Sequence, residues 1–261
     1  MSIADADLAS RNAAMFNAPS VADWYLGETT TGAEQRLLAG GRADFAGRRV
    51  LDLGVGTGRT TGYLLPHAAD YLGIDLAPEM LARARRAFPG ANLVEMDMRD
   101  LGRLPAVSRD YVLGSYGALD VFDEPERRAV IVSIHRLLAP GGLFVFSAHN
   151  RDSRHAGGRP SLPLSPNPVR LLRDARQFAI GSVNYRRMAP FEKREADYAM
   201  LRDVAHQWRG VFYYVSPAAQ IRQLATLGFG AIEVIGEDGR TVAPGESTGE
   251  DGLLHYRCMR L

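Results

Sequence analysis

Residues 50–59 (Val50-Leu51-Asp52-Leu53-Gly54-Val55-Gly56-Thr57-Gly58-Arg59) run from an apolar β-prone stretch through three alternating glycines into a helical pattern. Glycines at such a turn let the backbone bend sharply and approach a ligand closely, and the helix start offers unpaired N–H groups. Any tight strand-to-helix turn favours glycine, so the loop alone is a weak signal. Three carboxylates sharpen it. Asp52 stands two residues before Gly54, and Asp75 closes the next apolar run, 21 residues after Gly54, where a carboxylate can accept both hydroxyls of a ribose. Asp97-Met98 ends the run after that, an acceptor for an exocyclic amine beside a flat apolar contact. An acid at the end of a buried strand is costly without a partner. The spacing departs from the dinucleotide fingerprint, which needs glycine where Arg59 stands; here the third glycine, Gly58, comes one position early.

The elements that position these residues follow from the alternation, between 48 and 148, of short apolar runs with longer helical patterns, the signature of parallel strands joined by crossover helices. Strands are expected at 49–53, 71–75, 91–96, 110–115 and 143–148. One helix opens at Pro78, buries Met80, Leu81, Ala84 and Phe88, and ends at Pro89-Gly90; another starts near Pro125, buries Val130, Ile131, Ile134, Leu137 and Leu138, and stops at Pro140-Gly141-Gly142. The acids then fall at the C-terminal ends of three successive strands, facing the crevice where open α/β sheets bind ligands. After Asn150 a Pro/Gly-rich stretch without periodicity reads as a loop or lid. A basic helix follows at about 169–178, then a strand pair at 196–202 and 207–215. Ser216-Pro217 caps a helix through Leu227, and strands at 231–235 and 254–259 close the chain. The expected organisation is a helical cap over 1–45, a ligand-binding core over 46–149, an inserted lid over 150–215 that sets specificity, and closing elements over 216–261.

With 261 residues, 31 Lys+Arg against 30 Asp+Glu and a formal charge of +1, one large domain without a strong phosphate-attracting field is expected. Arg83, Arg85 and Arg86, the densest basic run, read as a solvated helix face. A single cysteine, Cys258, excludes disulfide scaffolds and Cys-rich metal sites, and the six histidines are scattered, so no metal is expected. The N-terminus is acidic where a signal peptide is basic, and no apolar run nears the roughly 20 residues of a spanning helix. A cytoplasmic protein without a membrane or nucleic-acid partner, monomeric or homodimeric, is the expectation.

The GxGxG loop with Asp at the next two strand ends resembles the class I S-adenosylmethionine-dependent methyltransferases, over roughly residues 20–150, and its Ser147-Ala148-His149-Asn150 ending resembles a bacterial small-molecule subgroup. The resemblance implies an α/β, Rossmann-like, seven-stranded, mostly parallel sheet of order 3-2-1-4-5-7-6 with strand seven antiparallel, helices on both faces and an inserted lid. It implies S-adenosyl-L-methionine as cofactor. Gly54, Gly56 and Gly58 would wrap the methionine part, Asp52 would reach its ammonium and Arg59 its carboxylate. Asp75 would hold the ribose, Asp97 and Met98 the adenine, with Leu76 and Met80 flanking. Ser115 matches the position nearest the sulfonium, and Tyr25 would close over the cofactor from an N-terminal helix. For Met80, Met98 and Tyr25 the plain alternative is core packing.

Methyl transfer from a sulfonium is an in-line displacement to which alignment contributes, within the ~7–11 kcal/mol available to well-oriented reactions. The acceptor, a small molecule, would sit above the strand ends among Tyr116, His149, Asn150, Tyr185, Tyr213, Tyr214 and Ser216. Of these, His149 suits a general base, Asn150 a grip on a polar ligand, and the Tyr185 ring a cation–π contact to the sulfonium. A lone His at a strand end is otherwise a structural hydrogen-bonding residue, and the tyrosines are otherwise core. Some proteins of this fold instead cyclise the cofactor, releasing methylthioadenosine and forming azetidine-2-carboxylate, and Asn150, Tyr185 and Ser216 suit such a pocket. An NAD-dependent oxidoreductase is disfavoured by Arg59. A nucleic-acid methyltransferase is disfavoured by the charge and by Ser115-Tyr116-Gly117-Ala118 in place of an Asn/Asp-Pro-Pro-aromatic run. A non-catalytic ligand-binding module also fits the motifs.

Overall fold

The computed structural model describes residues 8–261. In chain order it contains α1 (Leu8–Phe16), α2 (Pro19–Tyr25), α3 (Gly32–Glu34, prolonged by a π-helical turn at Gln35–Gly40), β1 (Arg49–Leu53), α4 (Thr61–Leu64), β2 (Asp70–Asp75), α5 (Pro78–Ala87), β3 (Leu93–Glu95) and β4 (Arg109–Gly114). It continues with α6 (Glu124–Leu137), β5 (Leu138–Asn150), α7 (Pro168–Arg187), β6 (Lys193–Arg194), β7 (Tyr198–Arg202), β8 (Val211–Val215), α8 (Pro217–Thr226), β9 (Phe229–Ile235) and β10 (Leu253–Arg260). Of the expected 1–45 cap, residues 1–7 lie outside the described residues; α1, α2 and α3 occupy the rest.

Side chains along each central strand alternate between two cores. Leu51, Leu53, Leu72, Ile74, Val112, Phe144 and Phe146 enter one, together with Val130, Ile131, Ile134 and Leu137 of α6. Val50, Tyr71, Tyr111, Leu113, Leu143 and Val145 enter the other, together with Leu81 and Ala84 of α5. Burial on both faces explains why these strands read as continuous apolar runs. Asp123 caps α6 by accepting from the Glu126 amide at 3.0 Å, and Pro125 sits in its first turn.

The sheet runs β3-β2-β1-β4-β5, all parallel, with β10 antiparallel to β5 and β9 antiparallel to β10. This is the expected order, β9 and β10 taking the sixth and seventh places. Three further strands extend it: His149 and Asn150 at the end of β5 pair in parallel with Tyr214 and Val215 of β8, which continues to β7 and β6. The hairpin expected at 196–202 and 207–215 is β7–β8, but β8 begins at Val211, because His206, Gln207 and Trp208 adopt φ of 51°, 61° and 56°, outside any strand. β3 is shorter than the expected 91–96, as suits an edge strand with one partner. β5 is longer than 143–148, since it already pairs with β4 at Leu138 and its far end gains β8 as a neighbour at His149 and Asn150.

Between the β4 loop and α6 lies a fully buried ion pair. Arg127 Nε donates to Asp120 Oδ1 at 3.3 Å, and its terminal nitrogens donate to Gln223 at 3.0 Å and Gln220 at 2.9 Å on α8. Its guanidinium lies 4.4 Å from the Tyr213 ring centre. Removing one partner strands the other charge in the core. Arg127→Ala is therefore expected to cost about 3–5 kcal/mol, read as a lowered midpoint in urea unfolding, with Arg127→Met losing less because it refills the volume.

Candidate active site

At the C-terminal ends of β1, β2 and β4, with the segment after β3 alongside, a cavity opens whose empty volume, mouth included, is about 1030 Å³. Its floor is the glycine loop. Gly54 has φ of +64°, and a Cβ there would come within 2.9 Å of the Ala118 side chain and 3.1 Å of Met98 Cε. The wall needs a residue without a side chain. Gly58 serves a different purpose from the one expected: it does not line the cavity, and at φ +94° its bare Cα lets the Phe88 ring pack where a Cβ would sit 2.8 Å away.

Asp75 fixes the loop. One carboxylate oxygen accepts from the Gly56 amide at 2.8 Å and the other from the Ala77 amide at 2.8 Å. Burial raises its pKa, and these amides hold it back. Gly54, Gly56, Arg59, Leu76, Met80, Asp97, Met98, Ser115, Tyr116 and Tyr25, all expected at the site, line the same cavity as Asp75. Asp97 accepts from the Arg99 amide at 2.8 Å and from its guanidinium at 2.8 and 3.0 Å, so the turn after β3 is pinned beside Met98. Tyr25 hydroxyl meets His206 Nε2 at 3.3 Å.

Asp52 is placed otherwise. It is buried behind the loop, where Thr60 Oγ1 at 2.8 Å and Tyr71 hydroxyl at 2.9 Å both donate to its Oδ2. It ties the loop to β2 and does not line the cavity. Burial, outweighing those two hydrogen bonds, pushes its pKa up to about 6.

One residue at this end escapes the sequence reading. Glu34, buried at the end of α3, takes both the Arg59 guanidinium and the Ser115 hydroxyl. Burial works against its charged form, yet Arg59 and these hydrogen bonds hold its pKa below the ordinary value. Its signal was present as a capping box: Thr31 Oγ1 accepts from the Glu34 amide at 3.2 Å, and Glu34 accepts from the Thr31 amide at 2.9 Å. Arg59 also stacks 4.6 Å from the Tyr116 ring. Opposite this polar end the wall is apolar, with Phe16 of α1, Val121 and Phe122, none of them expected.

His149 stands just outside the wall, its Cε1 2.9 Å from where a Cβ on the wall residue Gly117 would be, and its side chain is one-fifth exposed. Asp120 Oδ2 lies 2.8 Å from its Nδ1 and also accepts its backbone amide at 2.8 Å. Burial disfavours the charged ring, but the Asp120 hydrogen bond and charge prevail and the pKa is raised.

The other acceptor-side residues are committed elsewhere. Asn150 is a buried clamp donating to Thr248 O at 2.7 Å and Asp251 O at 2.9 Å. Tyr185 lies under the Arg202 guanidinium at 3.5 Å, and Ser216 caps α8. Tyr213 hydroxyl donates to Glu124 and Tyr214 hydroxyl to Asp203. None of the five lines the cavity.

The segment 50–142, which spans the loop, all three strand-end acids and α6, matches the methyltransferase domain family. Over these residues the chain is similar to S-adenosylmethionine-dependent methyltransferases. A phosphatidylethanolamine N-methyltransferase of Cereibacter sphaeroides is 34% identical over 136 residues, 50% of this chain and 64% of that protein. More generally the chain spans about half the length of the curated relatives it matches. Among solved structures, a methyltransferase of Mesorhizobium loti superposes with a TM-score of 0.58 at 23% identity, over 87% of this chain and 98% of that one. A 1,6-didemethyltoxoflavin-N1-methyltransferase of Burkholderia thailandensis gives 0.59 at 15% identity, over 97% and 87%. At these identities the likeness is one of fold.

Asp52 yields a test of the burial argument. Its folded pKa of about 6 exceeds the ordinary 3.8, so the folded state holds the proton more tightly. The associated stability is full below about pH 4 and is lost as pH rises through about 6, on the order of 3 kcal/mol. Asp52→Asn, which keeps an acceptor for Thr60 and Tyr71, is expected to gain on the wild type between pH 4 and 7 in thermal melts. A constant difference across that range would show that Asp52 is not protonated in the fold.

Proposed function

We propose that the protein transfers a methyl group from S-adenosyl-L-methionine to an oxygen or nitrogen of a small molecule, leaving S-adenosylhomocysteine. The observation that carries this is the Asp75-pinned glycine floor of a cavity with a polar pole at Arg59 and Ser115, both held from behind by buried Glu34, and an apolar pole at Phe16, Val121 and Phe122. The cradle suits a cofactor with an amino-acid end and a nucleoside end: a Cβ at Gly54 would clash with the wall residues Ala118 and Met98, so only glycine keeps the floor in place. In this reading Arg59 and Glu34 meet the carboxylate and ammonium, Asp75 the ribose hydroxyls, and Asp97, Leu76, Met80 and Met98 the adenine. Bound there, the cofactor supplies a methyl group on a positively charged sulfur. Support from relatives is by name: the Cereibacter protein is an N-methyltransferase, and the Burkholderia structure holds a small heteroaromatic acceptor with S-adenosylhomocysteine.

The chain's own contribution to chemistry is positional and protolytic. Tyr25, Phe16 and Tyr116 shield the cavity from water, and Ser115 fixes Glu34. His149, oriented through Nδ1 by Asp120, has Nε2 available to take the acceptor's proton as the new bond to carbon forms. Asp120 acts through His149 and is a positioning residue. The cyclising alternative rested on Asn150, Tyr185 and Ser216, and no feature of the cavity favours it.

Purified protein is incubated with S-adenosylmethionine alone and the small molecules followed by mass spectrometry. The expected result is bound, unconsumed cofactor, with affinity at least tenfold weaker in Asp75→Ala. Accumulating methylthioadenosine with an amino-acid product would replace methyl transfer by cyclisation. Independently, the His149 ring followed by NMR should titrate above 6.5 in the wild type and lower in Asp120→Asn. Since only the neutral ring accepts a proton, turnover should fall as pH drops through that midpoint.

A further inference from the structure

Helix α7 is covered on one side only. Gly181 receives the Trp208 ring, which would lie 2.9 Å from a Cβ there; Asn184 donates to Gln207 O at 2.9 Å; and Tyr185 underlies Arg202. These contacts hold the helix rigidly against the 3-10 turn Ala205–Gln207, whose His206 meets the cavity-wall residue Tyr25. On the opposite side, Val169 (77% exposed), Leu172 (74%) and Val183 (48%) form a stripe, preceded in the loop by Leu164 at 90%. Of the thirteen large hydrophobic residues exposed among the described residues, six lie within 162–183. The stripe is interleaved with arginine. Arg170, Arg173, Arg176, Arg186 and Arg187 are all exposed; the helix's only acid, Asp174, pairs with Arg170 at 3.6 Å and Arg173 at 3.3 Å, so the five arginines still exceed the acid by four charges.

We propose that this face docks on an anionic lipid bilayer. A helix of 20 residues, about 30 Å long, lying flat with an apolar stripe between arginines suits the bilayer interface, where aliphatic side chains enter and guanidinium groups stay among phosphates. Charge complementarity selects an anionic surface, and self-repulsion among five arginines disfavours a second copy of the same face. No helix among the described residues is long and apolar enough to cross a membrane, so the association is peripheral. No membrane partner is expected from the sequence, since no apolar run nears the length of a spanning helix; peripheral docking needs no such run, and residues 151–187 carry eight arginines against two aspartates.

The full-length protein is sedimented with vesicles of phosphatidylcholine alone and of phosphatidylcholine with 30% phosphatidylglycerol. Binding to the anionic vesicles should be at least tenfold stronger and should be lost in 0.5 M NaCl. Arg173→Glu and Arg176→Glu should each weaken it about fivefold or more, and Leu172→Asp should weaken it without changing the melting temperature or S-adenosylmethionine affinity. Equal binding to both vesicle types, no binding at low salt, or binding untouched by the three substitutions overturns the proposal. So does a dimer in light scattering that Leu172→Asp dissociates, which assigns the face to a second copy.

Discussion

Asp120 is fully buried and every group around it is arranged to keep its charge there. Arg127 neutralises it from α6, His149 approaches from β5 through both ring and amide, and its own carbonyl accepts the Tyr213 amide of β8 at 2.8 Å. Arg127 in turn is satisfied by Gln220 and Gln223 of α8. Asp120, through its carboxylate and its carbonyl and by way of Arg127, thus joins the parallel core, the added hairpin and the closing helix. A buried pair of this kind is weak evidence for net stability, because desolvation offsets the attraction. Its effect is to allow one relative placement of four elements, since any other leaves a charge unpaired in the core. His149 inherits its orientation from that constraint.

The glycine loop is governed by three further carboxylates, each compensated differently. Asp52 has only two hydroxyl donors and its pKa is pushed up to about 6; Asp75 has backbone amides that hold back the rise from burial; Glu34 has a guanidinium that holds its pKa below the ordinary value. The result is a gradient of charge from the hidden side of the loop to its exposed side, with the firmest negative charge next to the only arginine that lines the cavity. Asp75 holds the Gly56 amide, so the chain's own hydrogen bonds fix the shape of the floor.

What the sequence made legible were features with a period or a fixed spacing. The strand pattern could be read because both sheet faces are buried, and the loop with Asp75 and Asp97 because their separations are set by strand–helix–strand geometry. Glu34 was legible in principle, through Thr31 three residues earlier. Asp120 was not, because its partners lie 7 and 29 residues away and no spacing rule links them. The tyrosines of β8 misled for a physical reason: the hairpin alternates Tyr213 into the Arg127 core and Tyr214 into a smaller one with Met15 and Leu201, so both aromatic faces are consumed by packing. Asn150 misled because a strand-end amide that caps a loop and one that holds a ligand have the same sequence.

Net charge misled in another way, by averaging. Eight of the 31 basic residues and two of the 30 acidic ones fall within 151–187, leaving 23 against 28 for the rest of the chain. The part that holds the cavity therefore carries a formal −5, the sign that favours the cationic cofactor proposed for it, while the segment around α7 carries +6. At a Debye length near 8 Å in physiological salt, charges on α7 act most strongly on whatever lies against the helix itself. A near-neutral total is what two opposite poles produce when they are counted together, and only the placement of α7, anchored on one side and bare on the other, separates them.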